Sequence, residues 1–318
     1  MGVKTNMVSP VSEVTTKLFA ALLLVTATVA AQDSYEQTIK VWRAEREAKL
    51  KADDGWLTVS GLFWLKEGIN DFGTGPANDI VLPTGSALEH VGSFELNQGK
   101  VTLHVADGAN VTINDKPVRE IEVQSDATKK ADLIKAGDLS FLLLKRGDRW
   151  GIRLKDKNSY TRREFTGLRW YPVKESYRIT AQFVPYEQPK EVPITNILGD
   201  TEIYKSPGLL RFNLNGQEYT LEPVLSGERL FIIFRDLTSN RTTYASSRFL
   251  YADLPKDELS KDGRVVLDFN QAINPPCAFT AYATCPLPPK QNRLRVAIEA
   301  GELTYHGPVP KQTAAQAK

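Results

Sequence analysis

Short strand-forming segments, separated by turn residues, dominate residues 69–155 and constrain the fold more than any other feature of the sequence. A clear example is 101–105 (VTLHV). Segments of this length at regular spacing are typical of antiparallel β-sandwiches. Further along, the alternating segments 210–214 and 217–221 flank Asn215-Gly216, a dipeptide that strongly favours a β-hairpin. The sequence therefore predicts a mainly β fold.

An amphipathic segment and a charged segment divide the chain. Residues 35–50 place Ile39 and Trp42 among Glu and Lys at helical spacing, and Asp53-Asp54-Gly55 ends the pattern. Residues 156–169 are charged and rich in turn formers, and 318 residues suffice for two domains. We therefore predict an N-terminal helix followed by two successive antiparallel β units, sandwich or barrel-like. The predicted divisions are a signal peptide (1–31), the helix (32–55), a first β-sandwich (56–156), a second all-β domain (157–306) and a disordered tail (307–318).

The first 31 residues have the layout of an export signal. Lys17 precedes the apolar run Leu18–Val25, and the small residues Ala30-Ala31 precede Gln32. The stretch from Leu18 to Ala31 is fourteen residues, shorter than the ~20 that a membrane-spanning helix requires. We therefore expect cleavage near Gln32 and a periplasmic or secreted protein without a membrane span.

Composition excludes several kinds of partner. The formal charge is +2 and the basic residues are scattered, which argues against a nucleic-acid partner. The chain has three histidines and two cysteines, none at the spacing of a zinc motif, so we predict no metal site. No motif implies a cofactor. The oligomeric state has no sequence signal.

The stretch 268–293 is the most unusual part of the chain. It holds five prolines and both cysteines, and prolines at this density exclude a helix or a central strand. We interpret it as an ordered loop, which is either a structural lid or a site. Because an exported protein meets oxidising conditions, we predict a disulfide between Cys277 and Cys285.

Two functions are compatible with this loop. The first is binding of a small polar or anionic ligand, with Arg235 and Arg248 as donors and Tyr282 as an aromatic wall. The second is a hydrolase-type enzyme that uses Cys277, or a carboxylate pair of Asp236 and Asp268 beside an arginine. The candidate binding residues are Arg235, Asp236, Tyr244, Arg248, Asp268, Asn270, Asn274, Tyr282, Asn292 and Arg293.

One predicted ion pair distinguishes a structural role of the 268–293 loop from a binding or catalytic role. Arg248 and Asp268 each lie at the edge of an apolar strand, where an unpaired charge would be costly. We therefore expect them to form a partly buried pair behind the loop.

Part of the first β unit resembles the forkhead-associated fold. The resemblance rests on 72–83 (FGTGPANDIVLP) and on Ala136-Gly137-Asp138. The phosphothreonine site of that fold needs an arginine where this chain has Thr74, and its serine and histidine lie closer together than Ser86 and His90. The resemblance therefore implies a fold and argues against phosphopeptide binding.

The chain resembles the bacterial family known as domain of unknown function 1684 over roughly Trp56–Glu302, and most strongly in its second half. The residues that carry the resemblance are 234–238 (FRDLT), 243–244 (TY), 248–250 (RFL), 268–270 (DFN), 274–280 (NPPCAFT), 282–288 (YATCPLP) and 292–294 (NRL). The chain departs from the family pattern at Asn240 and Ser247, where glycine is usual, and at Ile273, where an aromatic is usual. The resemblance implies no reaction.

Overall fold

A computed structural model describes residues 1–2, 34–256 and 259–309 of the chain. The predicted signal peptide and tail lie largely outside these residues. The chain divides into two compact units, Met1–Ala44 and Glu45–Lys318. The larger unit contains both predicted β domains, and their boundary at 156/157 stays a prediction.

Residues 34–51 form the helix α1, in agreement with the pattern at 35–50. The first unit contains its residues 34–44, and the second unit contains residues 45–51. A second, four-residue helix, α2 (Tyr160–Arg163), is capped at its N-terminus by Ser159, whose hydroxyl accepts a hydrogen bond from the Arg162 N–H. No helix among the described residues combines the length and apolarity needed to cross a membrane.

The first half of the larger unit contains two sheets. One has the order β1-β11-β10-β9-β6-β7 and the other the order β3-β2-β4-β5-β8. Their strands are β1 (Val59–Trp64), β2 (Gly68–Gly73), β3 (Ile80–Val81), β4 (Gly92–Asn97), β5 (Lys100–Val105), β6 (Thr112–Ile113), β7 (Lys116–Pro117), β8 (Glu120–Glu122), β9 (Ile134–Ala136), β10 (Leu139–Arg146) and β11 (Arg149–Asp156).

These two sheets pack face to face over one apolar core. Phe72 and Phe94 from one sheet meet Phe141 from the other, with ring centroids 5.5 and 6.4 Å apart. Alternation along each strand produces this core, because side chains two residues apart share a face. On β11, Ile152 and Leu154 enter the core, which leaves Arg153 on the opposite face of the sheet.

The second half also contains two sheets, of order β14-β13-β12-β18 and β15-β16-β17. Their strands are β12 (Arg178–Thr195), β13 (Thr201–Leu214), β14 (Gln217–Leu221), β15 (Val224–Ser226), β16 (Arg229–Phe234), β17 (Arg248–Asp253) and β18 (Gly263–Asp268). Alternate residues of β16 and β17, among them Ile232 and Leu250, enter a core shared with the four-stranded sheet.

The mainly β, sandwich-like prediction is confirmed, and the described strands close no barrel. The Asn-Gly hairpin is also confirmed: β13 and β14 flank Asn215 and Gly216, whose φ angles are 55° and 80°. The described strands pair antiparallel, apart from the parallel pair β2 and β3, and two isolated bridges are also parallel.

Candidate functional site

A cavity of about 440 Å³ lies within residues 45–318, where the first half meets the second. One wall comes from the outer face of β10 and β11, through Arg146 and Arg153. A second wall comes from β16 and β17, and a third from loop residues 273–286. This volume falls in the range of small-molecule sites.

Aromatic side chains from β16 and β17 form much of the surface. Phe231 and Tyr251 are cross-strand partners, and their rings stack with centroids 4.8 Å apart. Phe249 meets Phe231 edge to face at 4.9 Å. These residues alternate with the core residues Ile232 and Leu250, so both faces of this sheet are apolar. Such a wall favours a planar apolar ligand.

Arg153 is the buried cation of the cavity. Its side chain lines the cavity, yet the residue is only 6% exposed. Its guanidinium lies 5.0 Å from the centroid of the Trp56 ring, which also lines the cavity. Among the described residues, no carboxylate pairs with Arg153, and its buried Nε has no hydrogen-bond partner. Burial lowers the pKa of Arg153 to about 10, because desolvation disfavours the charged form.

Two further arginines line the cavity, and both have carboxylate partners. Arg146 pairs with Asp126 at 2.8 Å and lies 3.5 Å from Glu202, and its Nε donates to the Thr284 hydroxyl at 3.2 Å. The Arg46 Nε donates to Glu302 at 2.9 Å. Arg46 and Arg146 therefore contribute to the electrostatic potential at the cavity. Arg153 instead has hydrogen-bond donors without a partner among the described residues.

Tyr204 and Glu202 are neighbours on β13 at the cavity. The Tyr204 hydroxyl donates to Glu202 at 3.3 Å. Burial, followed by the charge of Glu202, raises the pKa of Tyr204 to about 12. The tyrosine therefore stays protonated at neutral pH and can donate to a ligand.

The predicted disulfide is not formed in the structure, because Cys277 and Cys285 are both free thiols. The Cys277 N–H donates to Sγ of Cys285 at 3.1 Å, and Sγ of Cys277 donates to the Ala283 carbonyl at 3.6 Å. The hydrogen bond with Cys285 lowers the pKa of Cys277, whereas burial raises the pKa of Cys285. Cys285 lines the cavity, so the thiol pair lies at its wall.

Several candidate residues of the 268–293 loop hold the backbone together. The Asn292 side chain bonds the N–H and carbonyl of Glu222 and the carbonyl of Ile233, at 2.7 to 3.0 Å. The Asn270 side chain bonds both backbone groups of Lys174, at 2.8 and 3.1 Å. Both residues are fully buried. They act as tethers, which agrees with the structural-lid alternative for this part of the loop.

The expected Arg248–Asp268 pair is wrong. Arg248 is fully buried and pairs with Asp236 at 3.2 Å, while it donates to the carbonyls of Ile298 and Ala300. Asp268 instead accepts the Asn270 N–H at 3.1 Å and caps a short 3-10 turn. Asp236 precedes a turn and lies within ion-pair distance of Arg248. The position of Arg248 at the end of a strand does not reveal this partner in the sequence. The carboxylate pair of Asp236 and Asp268 stays a prediction.

The remaining candidates lie in different places. Asn274 lines the cavity, and its N–H donates to Glu302 at 2.8 Å. Tyr282 is buried against the first sandwich, and the Tyr244 hydroxyl donates to the Cys277 carbonyl at 3.2 Å. Arg235 and Arg293 are exposed and line clefts that share no residue with the cavity.

Sequence reasoning missed most of the cavity. Its arginines and its aromatic residues Trp56, Tyr204, Phe231, Phe249 and Tyr251 lie outside the 268–293 loop. One signal was available: 230–234 (LFIIF) is apolar at every position, which indicates a strand buried on both faces. A second was Arg153, a charge between two apolar residues of a strand.

Residues 163–303 match the family model described as "Protein of unknown function (DUF1684)". The match begins well after Trp56, so it covers less of the chain than the sequence resemblance suggested. A search among curated proteins found no match.

Solved structures offer partial similarities. The solution NMR structure of an uncharacterised protein from Haloarcula marismortui is 32% identical, covers 45% of this chain and 79% of that chain, and has a TM-score of 0.39. An FHA domain from a study of phosphothreonine-dependent FHA interactions is 18% identical, covers 30% of this chain and 92% of its own, and has a TM-score of 0.22. The FhaA FHA domain gives the same identity and TM-score and covers 97% of its own length.

Proposed function

Because residues 163–303 belong to DUF1684, a family of unknown function, we propose a function from the site itself: the protein binds a small ligand with an anionic group and a planar apolar body. The ligand occupies the 440 Å³ cavity. The observation that carries this proposal is Arg153, a buried guanidinium at the cavity wall without a carboxylate partner among the described residues.

The charge of the ligand follows from the cost of burying a cation. A desolvated guanidinium destabilises a fold unless an anion neutralises it. Arg153 receives no such anion from the described residues, whereas the carboxylates of Asp126 and Glu202 offset the charge of Arg146 at the same wall. A carboxylate, sulfonate or phosphate in the cavity would accept two parallel hydrogen bonds from the Arg153 fork.

The body of the ligand follows from the aromatic wall. The Arg153 guanidinium lies over the Trp56 ring. The stacked rings of Phe231 and Tyr251 form a flat apolar surface in the same cavity. A planar ring can bury its faces there and gain stacking energy in addition to apolar burial. Tyr204, protonated at neutral pH, can donate to a polar substituent.

A second candidate function is thiol chemistry at the same cavity. The Cys285 thiol lines the wall, and its neighbour Cys277 has a lowered pKa. A lowered pKa increases the thiolate fraction, which is the nucleophilic form. The residues that line the cavity include no histidine, and their one carboxylate, Glu202, is held by Tyr204 and Arg146. Hydrolysis would lack a positioned base, so we favour binding.

The test uses three matched probes. The purified protein is titrated calorimetrically with 2-naphthoate, the neutral 2-naphthamide and the non-aromatic cyclohexanecarboxylate. The comparison separates the contribution of the ligand's charge to affinity from that of its aromatic ring. We expect 2-naphthoate to bind at least tenfold more tightly than either comparison compound. Equal affinity for the amide would contradict the role assigned to the buried cation.

Arg153→Met tests the residue directly. This variant removes the charge but keeps most of the side-chain volume, so we expect it to lose 2-naphthoate binding without loss of melting temperature. Arg149→Met is the matched control, because Arg149 lies on the same strand and pairs with Asp200 outside the cavity. Unchanged binding by Arg153→Met would overturn the proposal.

Export of the protein is part of the proposal and rests on the Lys17, Leu18–Val25 and Ala30-Ala31 layout. Intact-mass measurement of the protein from its native host is the test. We expect a chain that begins near Gln32. A mass that retains Met1 would contradict export by cleavage, as would recovery in the cytosolic fraction alone.

A further inference from the structure

The turn after β16 lies beside residues 293–296 and forms a second surface, unlike the aromatic cavity in chemistry. Arg235 forms a parallel bridge with Arg293, and the two segments exchange hydrogen bonds from the Leu294 N–H to Arg235 O at 2.7 Å and from the Leu237 N–H to Val296 O at 3.0 Å. This ribbon places bridge partners side by side on one face.

Alternation along the ribbon concentrates arginines on the exposed face. Arg293 and Arg295 are two residues apart and exposed, while Leu294 between them is buried in the core. On the other segment, Arg235 is exposed while Asp236 is buried. Four arginines line the resulting cleft of about 380 Å³: Arg235, Arg241, Arg293 and Arg295.

These four charges are not neutralised within the described part of the chain. No ion pair involves any of the four arginines among the described residues. The single carboxylate that lines the cleft, Asp236, pairs with Arg248 at 3.2 Å and accepts the Ile298 N–H at 2.6 Å. Like charges placed opposite one another on adjacent strands destabilise a fold. An external anion would relieve this repulsion.

We propose that this arginine cleft binds a compact polyanion, and that its ligand is a soluble oligophosphate. A ligand with several negative charges matches four guanidinium groups better than a single carboxylate does. Each phosphate presents tetrahedral acceptor oxygens that an arginine fork can contact with two hydrogen bonds. The cleft shares no lining residue with the aromatic cavity, so this proposal does not rest on the proposed function.

The probe is inorganic pyrophosphate, titrated calorimetrically into the full-length protein at 50 and 200 mM NaCl. We expect binding at the lower salt concentration and weaker binding at the higher one, because ionic strength screens exposed charges. Orthophosphate and citrate should each bind at least tenfold more weakly. Failure to detect pyrophosphate binding would overturn the proposal, and equal affinity for citrate would overturn the assignment of an oligophosphate.

Charge-matched variants locate the site. Arg235→Gln with Arg293→Gln should weaken pyrophosphate binding at least tenfold. Arg211→Gln with Arg264→Gln removes the same net charge from exposed positions elsewhere and should change affinity less than twofold. An equal loss in both double variants would show non-specific attraction and overturn the site.

A further variant distinguishes the two sites. Arg153→Met should leave pyrophosphate affinity unchanged, since Arg153 does not line the arginine cleft. Loss of pyrophosphate binding in Arg153→Met would place the anion in the aromatic cavity and overturn the proposal. All variants should retain the melting temperature of the unsubstituted protein, which circular dichroism measures.

Discussion

Arg153 and Arg248 are both buried arginines, but their surroundings differ. Arg248 has Asp236 and two carbonyl partners, and its guanidinium lies 4.9 Å from the centroid of the Phe234 ring. Arg153 lies against the Trp56 ring and has no carboxylate partner in the described part of the chain, and the Nε of both arginines lacks a hydrogen-bond partner there. Removal of one partner from a buried pair leaves the other charge buried and uncompensated, whereas an unpaired cation beside a cavity is suited to an external anion.

Arg248→Ala should therefore strongly destabilise the protein. The variant leaves Asp236 buried without its cation, and breaking a buried pair costs about 3 to 5 kcal/mol. Urea unfolding followed by circular dichroism measures the change. Arg211→Ala, an exposed arginine, is the control and should cost less than about 1 kcal/mol. A loss of comparable size in both variants would contradict a special role for the Arg248–Asp236 pair.

Affinity for 2-naphthoate should depend on pH through Arg153. Its pKa is lowered to about 10, so the guanidinium is charged below pH 10 and neutral above. Anion binding needs the charged form, and affinity should therefore be present below pH 10 and fall by up to tenfold per unit above it. Titrations at pH 7, 9, 10 and 11 measure this.

These titrations should be carried out on the Cys277→Ser variant. The hydrogen bond with Cys285 lowers the pKa of Cys277, and a thiolate near the cavity would also weaken anion binding. Tyr204, with its pKa raised to about 12, stays neutral over most of this range. Constant affinity up to pH 11 would contradict control by Arg153.

At the scale of elements, the segment 298–303 holds the second half and the loop together. Arg248 donates to carbonyls of this segment, and Glu302 accepts hydrogen bonds from Arg46 and from the Asn274 N–H. Gly301 permits the close approach: its φ is 84°, and a Cβ there would lie 2.4 Å from the Ala272 carbonyl oxygen.

Gly301→Ala should therefore destabilise the protein by at least about 2 kcal/mol, since the contact is with backbone that cannot easily move. Gly216→Ala is the matched control. Gly216 has φ of 80° but open space around its added Cβ, so only the left-handed backbone penalty of about 1 kcal/mol applies. Equal losses in urea unfolding would show that the contact with Ala272 is relieved at no cost.

At the scale of the whole larger unit, Tyr282 connects the loop to the first sandwich. It is 3% exposed and packs in a cluster with Val59, Leu62 and Leu144. Thr280 adds a hydrogen bond to the Val59 carbonyl at 3.3 Å. We expect the cavity to need this contact, since Arg153 and the loop both contribute to its lining.

Tyr282→Ala should destabilise the unit by about 3 to 5 kcal/mol, the usual range for removal of a buried aromatic side chain. We also expect weaker 2-naphthoate binding at temperatures where the variant is folded. Tyr219→Ala is the control, because Tyr219 is half-buried and packs only in the second half. This variant should lower stability without an effect on the cavity. Unchanged ligand affinity in Tyr282→Ala would contradict the link between this contact and the cavity.

The sequence by itself determined the local features. Alternation of apolar residues predicted the β class, helical spacing predicted α1, and Asn215-Gly216 predicted the hairpin, because each depends on residues a few positions apart. The proline content of 268–293 likewise indicated an ordered loop, and that loop lines part of the cavity through Asn274, Cys285 and their neighbours.

Only the tertiary structure decided which charges meet. Arg248 pairs with Asp236 and not with Asp268, and Arg153 on β11 shares a cavity with Tyr251 on β17. Side chains so far apart in the chain come together through the packing of separate sheets, and no local period encodes that packing. The state of the cysteines depended on the same three-dimensional placement: the expected export predicted a disulfide, and the folded loop holds two thiols.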